Sequence, residues 1–287
     1  MTNFNLSTEI RRSVERALAE DVGSGDLTAS LVPATSLANA TVTTRETAVL
    51  CGRAWFDEVF HRLDPNIAIE WNYIDGERAP ANAVVCRLRG SARPILTGER
   101  TALNFLQTLS GTATETRRYV DAIAGIGCKI LDTRKTIPGL RRAQKYAVIC
   151  GGGTNHRIGL FDAVLVKENH IVAAGSIAAA VTHARHAAGE CMVEVEVENL
   201  DELAQALATD IDRILLDNFT IEELIEAVKM KIARKGYHVR LEASGNVTLE
   251  TIRDIARTGV DFISIGGLTK HLRAIDLSMR FEFSEPA

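Results

Sequence analysis

The chain has 287 residues, 46% hydrophobic and 24% charged, with a formal net charge of −4. That size and balance fit one large domain or a medium one with a smaller companion, and no apolar run reaches the length of a membrane span. The acidic balance and an aromatic content of 5% argue against nucleic acid as the main partner.

Residues Met1 to Leu6 lack the basic and apolar regions of a secretory signal. The five cysteines are widely spaced and form no Cys-x-x-Cys pair. They read as reduced thiols of a cytoplasmic protein without structural zinc. In chain order, Ser7-Thr8-Glu9-Ile10 predicts a helix N-cap, and Ile10, Val14, Ala17 and Leu18 carry a helical stripe that ends before Gly23. Residues 40–50 and 84–88 read as strands, with a helical stripe at 54–63 (Trp55, Val59, Phe60, Leu63) between them. This predicts a small sheet with a helix packed on it. Two helical segments, broken near Ser110-Gly111, are expected from 97 to 123.

Beyond Gly127 short apolar strands alternate with helical stripes. The strands are 129–132, 163–167, 192–197, 213–217, 238–243 and 262–266, and the helices 140–149, 177–187, 200–208, 221–233 and 249–258. Such spacing is that of βα units in a parallel sheet or barrel, and six strands are too few to close an eight-stranded one. Residues 277–283 alternate and predict an edge strand returning to the N-terminal sheet.

The predicted strand ends are polar: Asp132-Thr133-Arg134-Lys135, Lys167-Glu168-Asn169-His170, Glu196 to Asn199, Asp217-Asn218, Ser244-Gly245-Asn246 and Ser264-Ile265-Gly266-Gly267. In a (β/α) barrel chemistry gathers at these ends. From Lys129 to His170 the sequence places eight cations (Lys129, Arg134, Lys135, Arg141, Arg142, Lys145, Arg157, Lys167) against three acids (Asp132, Asp162, Glu168). An acidic chain that concentrates its cations points to a small, highly anionic ligand. The Ser/Gly ends at 244–246 and 264–266 are ordinary turns taken singly; beside the cationic cluster they read as phosphate-binding amides.

The run Val193-Glu194-Val195-Glu196-Val197-Glu198 puts three glutamates on one strand face. Buried bare carboxylates cost several kcal/mol each, so they require cations, a metal or water. His238, Arg240 and Glu242 share a face, as do Arg213 and Asp217, predicting a mutually paired lumen with Glu196 and Asp217 nearest the rim. Two rim carboxylates facing cations fit magnesium bridging a phosphorylated ligand. His183 and His186 read as solvent-exposed.

Leu131-Asp132-Thr133-Arg134-Lys135-Thr136-Ile137-Pro138-Gly139-Leu140-Arg141, Gly151-Gly152-Gly153-Thr154-Asn155-His156-Arg157 and Leu165-Val166-Lys167-Glu168-Asn169-His170 closely resemble the quinolinate phosphoribosyltransferase family. Gly98 to Asn104, Glu194 to Val197, Leu215 to Phe219 and Ser244 to Asn246 fit it in the same order. The resemblance implies an α/β fold: an N-terminal α/β sandwich (1–111, with 274–287 returning to it) and an incomplete, open α/β barrel (112–273). It implies quinolinate and phosphoribosyl pyrophosphate as substrates, Mg2+ and no organic cofactor, and a homodimer or larger assembly. By likeness Thr133, Arg134, Lys135, His156, Arg157 and Lys167 would hold the carboxylates and phosphates, with Arg100 reaching across the dimer interface. Glu196 and Asp217 would bind magnesium, directly or through phosphoribosyl pyrophosphate, or the ribose hydroxyls. Ser244, Gly245 and Asn246 with Ser264, Ile265 and Gly266 would cradle the 5-phosphate. Three alternatives stay open at this point: a Schiff-base barrel aldolase using Lys167 or Lys135, a non-catalytic anion-binding protein, and a related pyrophosphorylase-like protein acting on another ligand.

Overall fold

The computed structural model describes residues 6–234 and 238–284. The chain forms two units, one of residues 1–117, 136–152 and 268–287 and one of residues 118–135 and 153–267. This interleaving is finer than the expected 1–111 and 112–273 division. One segment, α4 (Arg141–Cys150), buries Ala143 and Ala147 in the first unit's apolar core, which holds residues 136–152 there.

In the first unit α1 (Leu6–Val22) already includes Ser7, so the expected cap lies inside the helix. Further along it, Ser13 Oγ donates to Glu9 O at 2.8 Å and accepts from Trp55 Nε1 at 3.0 Å. An antiparallel sheet runs in the order β12 (Leu277–Ser284), β1 (Leu37–Thr44), β5 (Val84–Ser91), β3 (Ala68–Trp71), and β2 (Ala48–Val49) pairs with β4 (Arg78–Ala79). Alternation along β1 buries Ala38, Ala40, Val42 and Thr44. The predicted return of the C-terminal segment is found, with Leu277 opposite Thr44 and Ser284 opposite Leu37. Trp55, Phe56, Val59 and Phe60 of α2 (Arg53–Leu63) meet Leu103, Leu106 and Leu109 of α3 (Ala92–Ala122) in the core.

The α3 helix is a single helix, Ala92–Ala122, so the break expected at Ser110-Gly111 is absent. These small residues serve close packing instead. A Cβ at position 111 would lie 2.3 Å from the Arg273 carbonyl oxygen, and Ser110 Oγ both accepts from Cys51 N–H (3.0 Å) and donates to Cys51 O (3.2 Å).

The second unit is a parallel sheet in the order β6 (Lys129–Leu131), β11 (Phe262–Ser264), β10 (Arg240–Ser244), β9 (Arg213–Asp217), β8 (Met192–Val197), β7 (Ala163–Val166). With β6 and β7 as its edges it is an open, barrel-like sheet. The crossovers carry α5 (Glu168–Ala174), which the sequence pattern did not indicate, α6 (Ile177–Ala188), α7 (Leu200–Leu207), α8 (Ile221–Ala233) and α9 (Ile252–Arg257). Ser176, Asn199 and Thr220 start α6, α7 and α8 by accepting from the N–H three residues on, at 3.1, 2.9 and 3.2 Å.

Candidate active site

Residues 23 and 24 apart in sequence meet because of Asp132. This carboxylate follows β6, is fully buried, and accepts from His156 N–H at 2.9 Å through Oδ1 and from Asn155 Nδ2 at 2.6 Å through Oδ2. Thr154 N–H donates to Ile130 O at 2.8 Å, and Asp132 N–H to Thr154 O at 3.2 Å. The 154–157 segment thereby runs beside β6 and sets His156 and Arg157 next to Thr133, Arg134 and Lys135. Sequence reasoning gave Asp132 no role; the available signal was a lone acid opening a cationic run.

Those five residues line a cavity of about 170 Å³ with Leu165, Lys167, Glu196, Leu215, Glu242, Ser244 and Ser264. Lys167 caps α5 and forms an ion pair with Glu196 of β8. Asp217, at the end of β9, accepts from Asn218 Nδ2 at 2.8 Å, and its carboxyl is raised by burial and then by the negative charge of Glu196. Burial, then the charge of Arg134, lowers the Arg157 guanidinium. Arg134 Nε is buried without a hydrogen-bond partner, an orphaned donor of the kind an anionic ligand satisfies.

The two glycine-bearing strand ends differ. Gly245 has φ +105°, and a Cβ there would lie 2.2 Å from Asn218 Oδ1, so the turn admits only glycine without displacement. Asn246, with φ 47°, donates through Nδ2 to Asn218 Oδ1 at 3.3 Å. At the other end, a Cβ on Gly266 would sit 3.0 Å from Lys135 Cδ and 3.5 Å from Thr133 Oγ1, close to the cationic run. Ile265 departs from expectation: its side chain is buried, and its N–H donates to Leu131 O at 3.0 Å, so that amide belongs to the sheet. Ser264 lines the cavity and is itself buried. Arg100 is exposed on α3, in the first unit.

Beneath the cavity lies a paired charge cluster. His156 Nε2 is 2.8 Å from Glu194 and 3.5 Å from Glu242, and Arg213 Nη1 is 2.9 Å from Glu242. Burial pushes both carboxyls up to about 7, Glu242 also feeling the charge of Glu194. These three side chains have metal-ligating atoms within 4.8 Å of one another. His156 Nδ1, however, accepts from Arg157 N–H at 2.7 Å. That bond puts the imidazole proton on Nε2, where a metal would need a lone pair. The expected lumen is narrower than the sequence pattern predicts. Arg240 turns to Asp261 at 2.8 Å, and Glu198 and His238 are exposed, because they lie at or beyond the strand ends where water competes. His183 and His186 are exposed, as expected.

Residues 26–110 match the N-terminal domain and residues 112–280 the C-terminal domain of quinolinate phosphoribosyl transferase. The chain belongs to this family. It is 42% identical to a probable nicotinate-nucleotide pyrophosphorylase [carboxylating] of Synechocystis over 93% of this chain and 90% of that one, and 41% identical to the nicotinate-nucleotide pyrophosphorylase [carboxylating] of Mycobacterium leprae over 94% and 96%. Among solved structures, the nicotinate-nucleotide pyrophosphorylase of Francisella tularensis superposes with a TM-score of 0.92 at 52% identity, covering 96% of each chain. NadC of Streptococcus pyogenes superposes with 0.93 at 37% identity, over 99% of this chain and 100% of that one. As a quinolinate phosphoribosyltransferase family member, the chain carries the family's N- and C-terminal domains as an antiparallel sheet with its helices and a parallel six-stranded sheet.

Proposed function

We propose that the protein transfers the phosphoribosyl group of phosphoribosyl pyrophosphate to the ring nitrogen of quinolinate, giving nicotinate mononucleotide, pyrophosphate and carbon dioxide in de novo NAD synthesis. The observation that carries this reading is a cavity with Arg134, Lys135, Arg157 and Lys167 around it and the Glu196 carboxylate at the same opening. Two polyanionic substrates repel each other in water, and four convergent cations offset that repulsion as the substrates come together.

Arg134, Lys135 and Arg157 hold the quinolinate carboxylates and phosphate oxygens, and the Ser244 to Asn246 turn receives the 5-phosphate. Bond cleavage to pyrophosphate leaves positive charge on the ribose, which the ring nitrogen attacks. As carbon dioxide departs, the electron pair of the broken C–C bond stays on C2, where the adjacent pyridinium nitrogen stabilises it, and C2 then takes a proton from water, so no organic cofactor is needed. Catalysis therefore rests on positioning and charge neutralisation.

Glu196 and Asp217 offer hard oxygen donors at neighbouring strand ends; burial raises the Asp217 carboxyl and the charge of Glu196 raises it further, and a cation between them would relieve that repulsion, so this pair fits Mg2+. When bound, the ion would neutralise pyrophosphate charge. The ion pair with Glu196 favours the charged form of Lys167 over the free amine that a Schiff-base aldolase needs. A homodimer, with Arg100 of one subunit serving the other's site, and a cytoplasmic location complete the proposal. No helix among the described residues is long and apolar enough to cross a membrane.

The test is to incubate the protein with Mg2+, quinolinate and phosphoribosyl pyrophosphate and to measure carbon dioxide and nicotinate mononucleotide. Nicotinic acid runs alongside as acceptor, and a preference for it, or binding without carbon dioxide release, overturns the assignment.

A further inference from the structure

The first unit holds a second cluster that the reaction does not use. Cys51, Asp75 and Cys150 place their sulfur and carboxylate atoms within 4.8 Å of one another. Cys51 immediately precedes Gly52, the N-cap of α2, and Cys150 is the last residue of α4. Asp75 is already satisfied. Its Oδ1 accepts from Gly52 N–H at 3.1 Å and Arg53 N–H at 3.3 Å, and its Oδ2 accepts from Tyr146 Oη at 2.9 Å. A cation would have to displace those donors and deprotonate both thiols, so the cluster offers sulfur chemistry and not a metal cage.

The two thiols are not equivalent. Cys51 is fully buried, and burial, followed by the hydrogen bond it gives Cys150, pushes its thiol well up. Cys150 is half-buried, and the same donated bond lowers its thiol. Burial pushes Cys86 up and Cys128 to about 12. Cys150 thus combines access with the more acidic of the two thiols, and a protected second thiol stands beside it within 4.8 Å. That is the arrangement of an attacking and a resolving cysteine.

We propose that Cys150 and Cys51 form a reversible intramolecular disulfide when the protein meets hydrogen peroxide. The Cys150 sulfur attacks a peroxide oxygen; the S–O bond forms as the O–O bond breaks, and the departing hydroxide takes the Cys150 thiol proton to become water. The Cys51 sulfur then attacks the Cys150 sulfenic acid. The S–S bond forms, the S–O bond breaks, and the Cys51 proton leaves with the hydroxyl as a second water. Two electrons from the thiol pair have reduced one peroxide to two waters. The new bond ties the turn before α2 to the end of α4, the helix that lies in the chain between Lys135 and His156. This proposal is independent of the reaction assigned above.

The experiment treats the reduced full-length protein, freed of reductant, with a small excess of hydrogen peroxide, then alkylates it under denaturing conditions and digests it with trypsin. The expected product joins the peptide of residues 46–53 to that of residues 146–157, two hydrogens lighter than the free pair, and dithiothreitol releases it. In Cys51→Ser the reaction should stop at a sulfenic acid on Cys150, trapped by dimedone. Sulfinic acid at Cys150 with Cys51 still alkylated in the unsubstituted protein, a cross-link through Cys191 instead, or no peroxide-dependent change overturns the proposal. The decisive arm uses the unsubstituted chain, so a folding defect in the variant leaves the test intact.

Discussion

His156 and Glu194 form a buried pair, Nε2 to Oε2 at 2.8 Å, with only 7% and 0% of their side chains exposed. Glu242 stands 3.5 Å from the same nitrogen, so the floor of the cavity holds two carboxyls around one imidazole. Because His156 Nδ1 receives the Arg157 amide, the pair also orients a residue of the proposed anion site.

A pH dependence follows from this cluster. Glu194 and Glu242 are raised from 4.5 to about 7, so between those values the folded chain retains protons that the unfolded chain has released. Their contribution to stability is full below about pH 4.5 and is lost as pH rises through 7. Comparing urea midpoints of the unsubstituted chain and Glu194→Gln/Glu242→Gln across pH 4.5 to 8 should show a flatter profile in the variant. Parallel profiles would refute the raised titration of the two carboxyls.

Arg134→Ala should raise the quinolinate KM roughly ten- to hundredfold, as expected for losing a charge-assisted bond of ~1.5 to 3 kcal/mol. The fold should persist, since the substitution removes a buried donor, Nε, that has no partner. Steady-state kinetics and a melting curve check both halves. An unchanged KM and turnover would take Arg134 out of the site.

Glu196→Gln and Asp217→Asn should each increase the Mg2+ concentration needed for half-maximal rate. Stability should change little, because Lys167, the partner of Glu196, has 47% of its side chain exposed and such pairs contribute about 0 to 1 kcal/mol. A magnesium titration of initial rates with quinolinate saturating provides the measurement, and identical curves would remove the pair from the metal.

Gly245→Ala should lower stability by more than ~1 kcal/mol, since the new Cβ meets Asn218 Oδ1 at 2.2 Å in a left-handed backbone. The phosphoribosyl pyrophosphate KM should rise with it. A rise in neither would mean that the turn shifts freely and does not grip the phosphate.

For the dimer, Arg100→Ala and Arg134→Ala proteins, each assayed at quinolinate far below its raised KM and so nearly inactive, should recover about a quarter of normal activity when mixed and allowed to exchange subunits. In a mixed dimer one site carries both defects and the other none. Failure to recover, with exchange verified by differently tagged chains, would place Arg100 in its own subunit's site or in neither.

The cationic run, the βα spacing and the alternating tail were legible from the sequence because each is a local pattern. Period and charge survive folding unchanged, and β6 to β11 lie within a few residues of where the alternation put them. The Ser110-Gly111 pair reads locally as a break, and it took the Arg273 carbonyl, more than 160 residues away, to make it a close contact inside one helix. Likewise Arg240 and Glu194 fall in one register row, yet only Glu194 is buried, since water reaches the end of β10 and not the middle of β8. Residue type and spacing determined that the chain gathers cations and carboxylates at strand ends. Only the tertiary structure decided which of them lose water and which find a partner, because desolvation depends on every atom packed around a group and not on its neighbours in the chain.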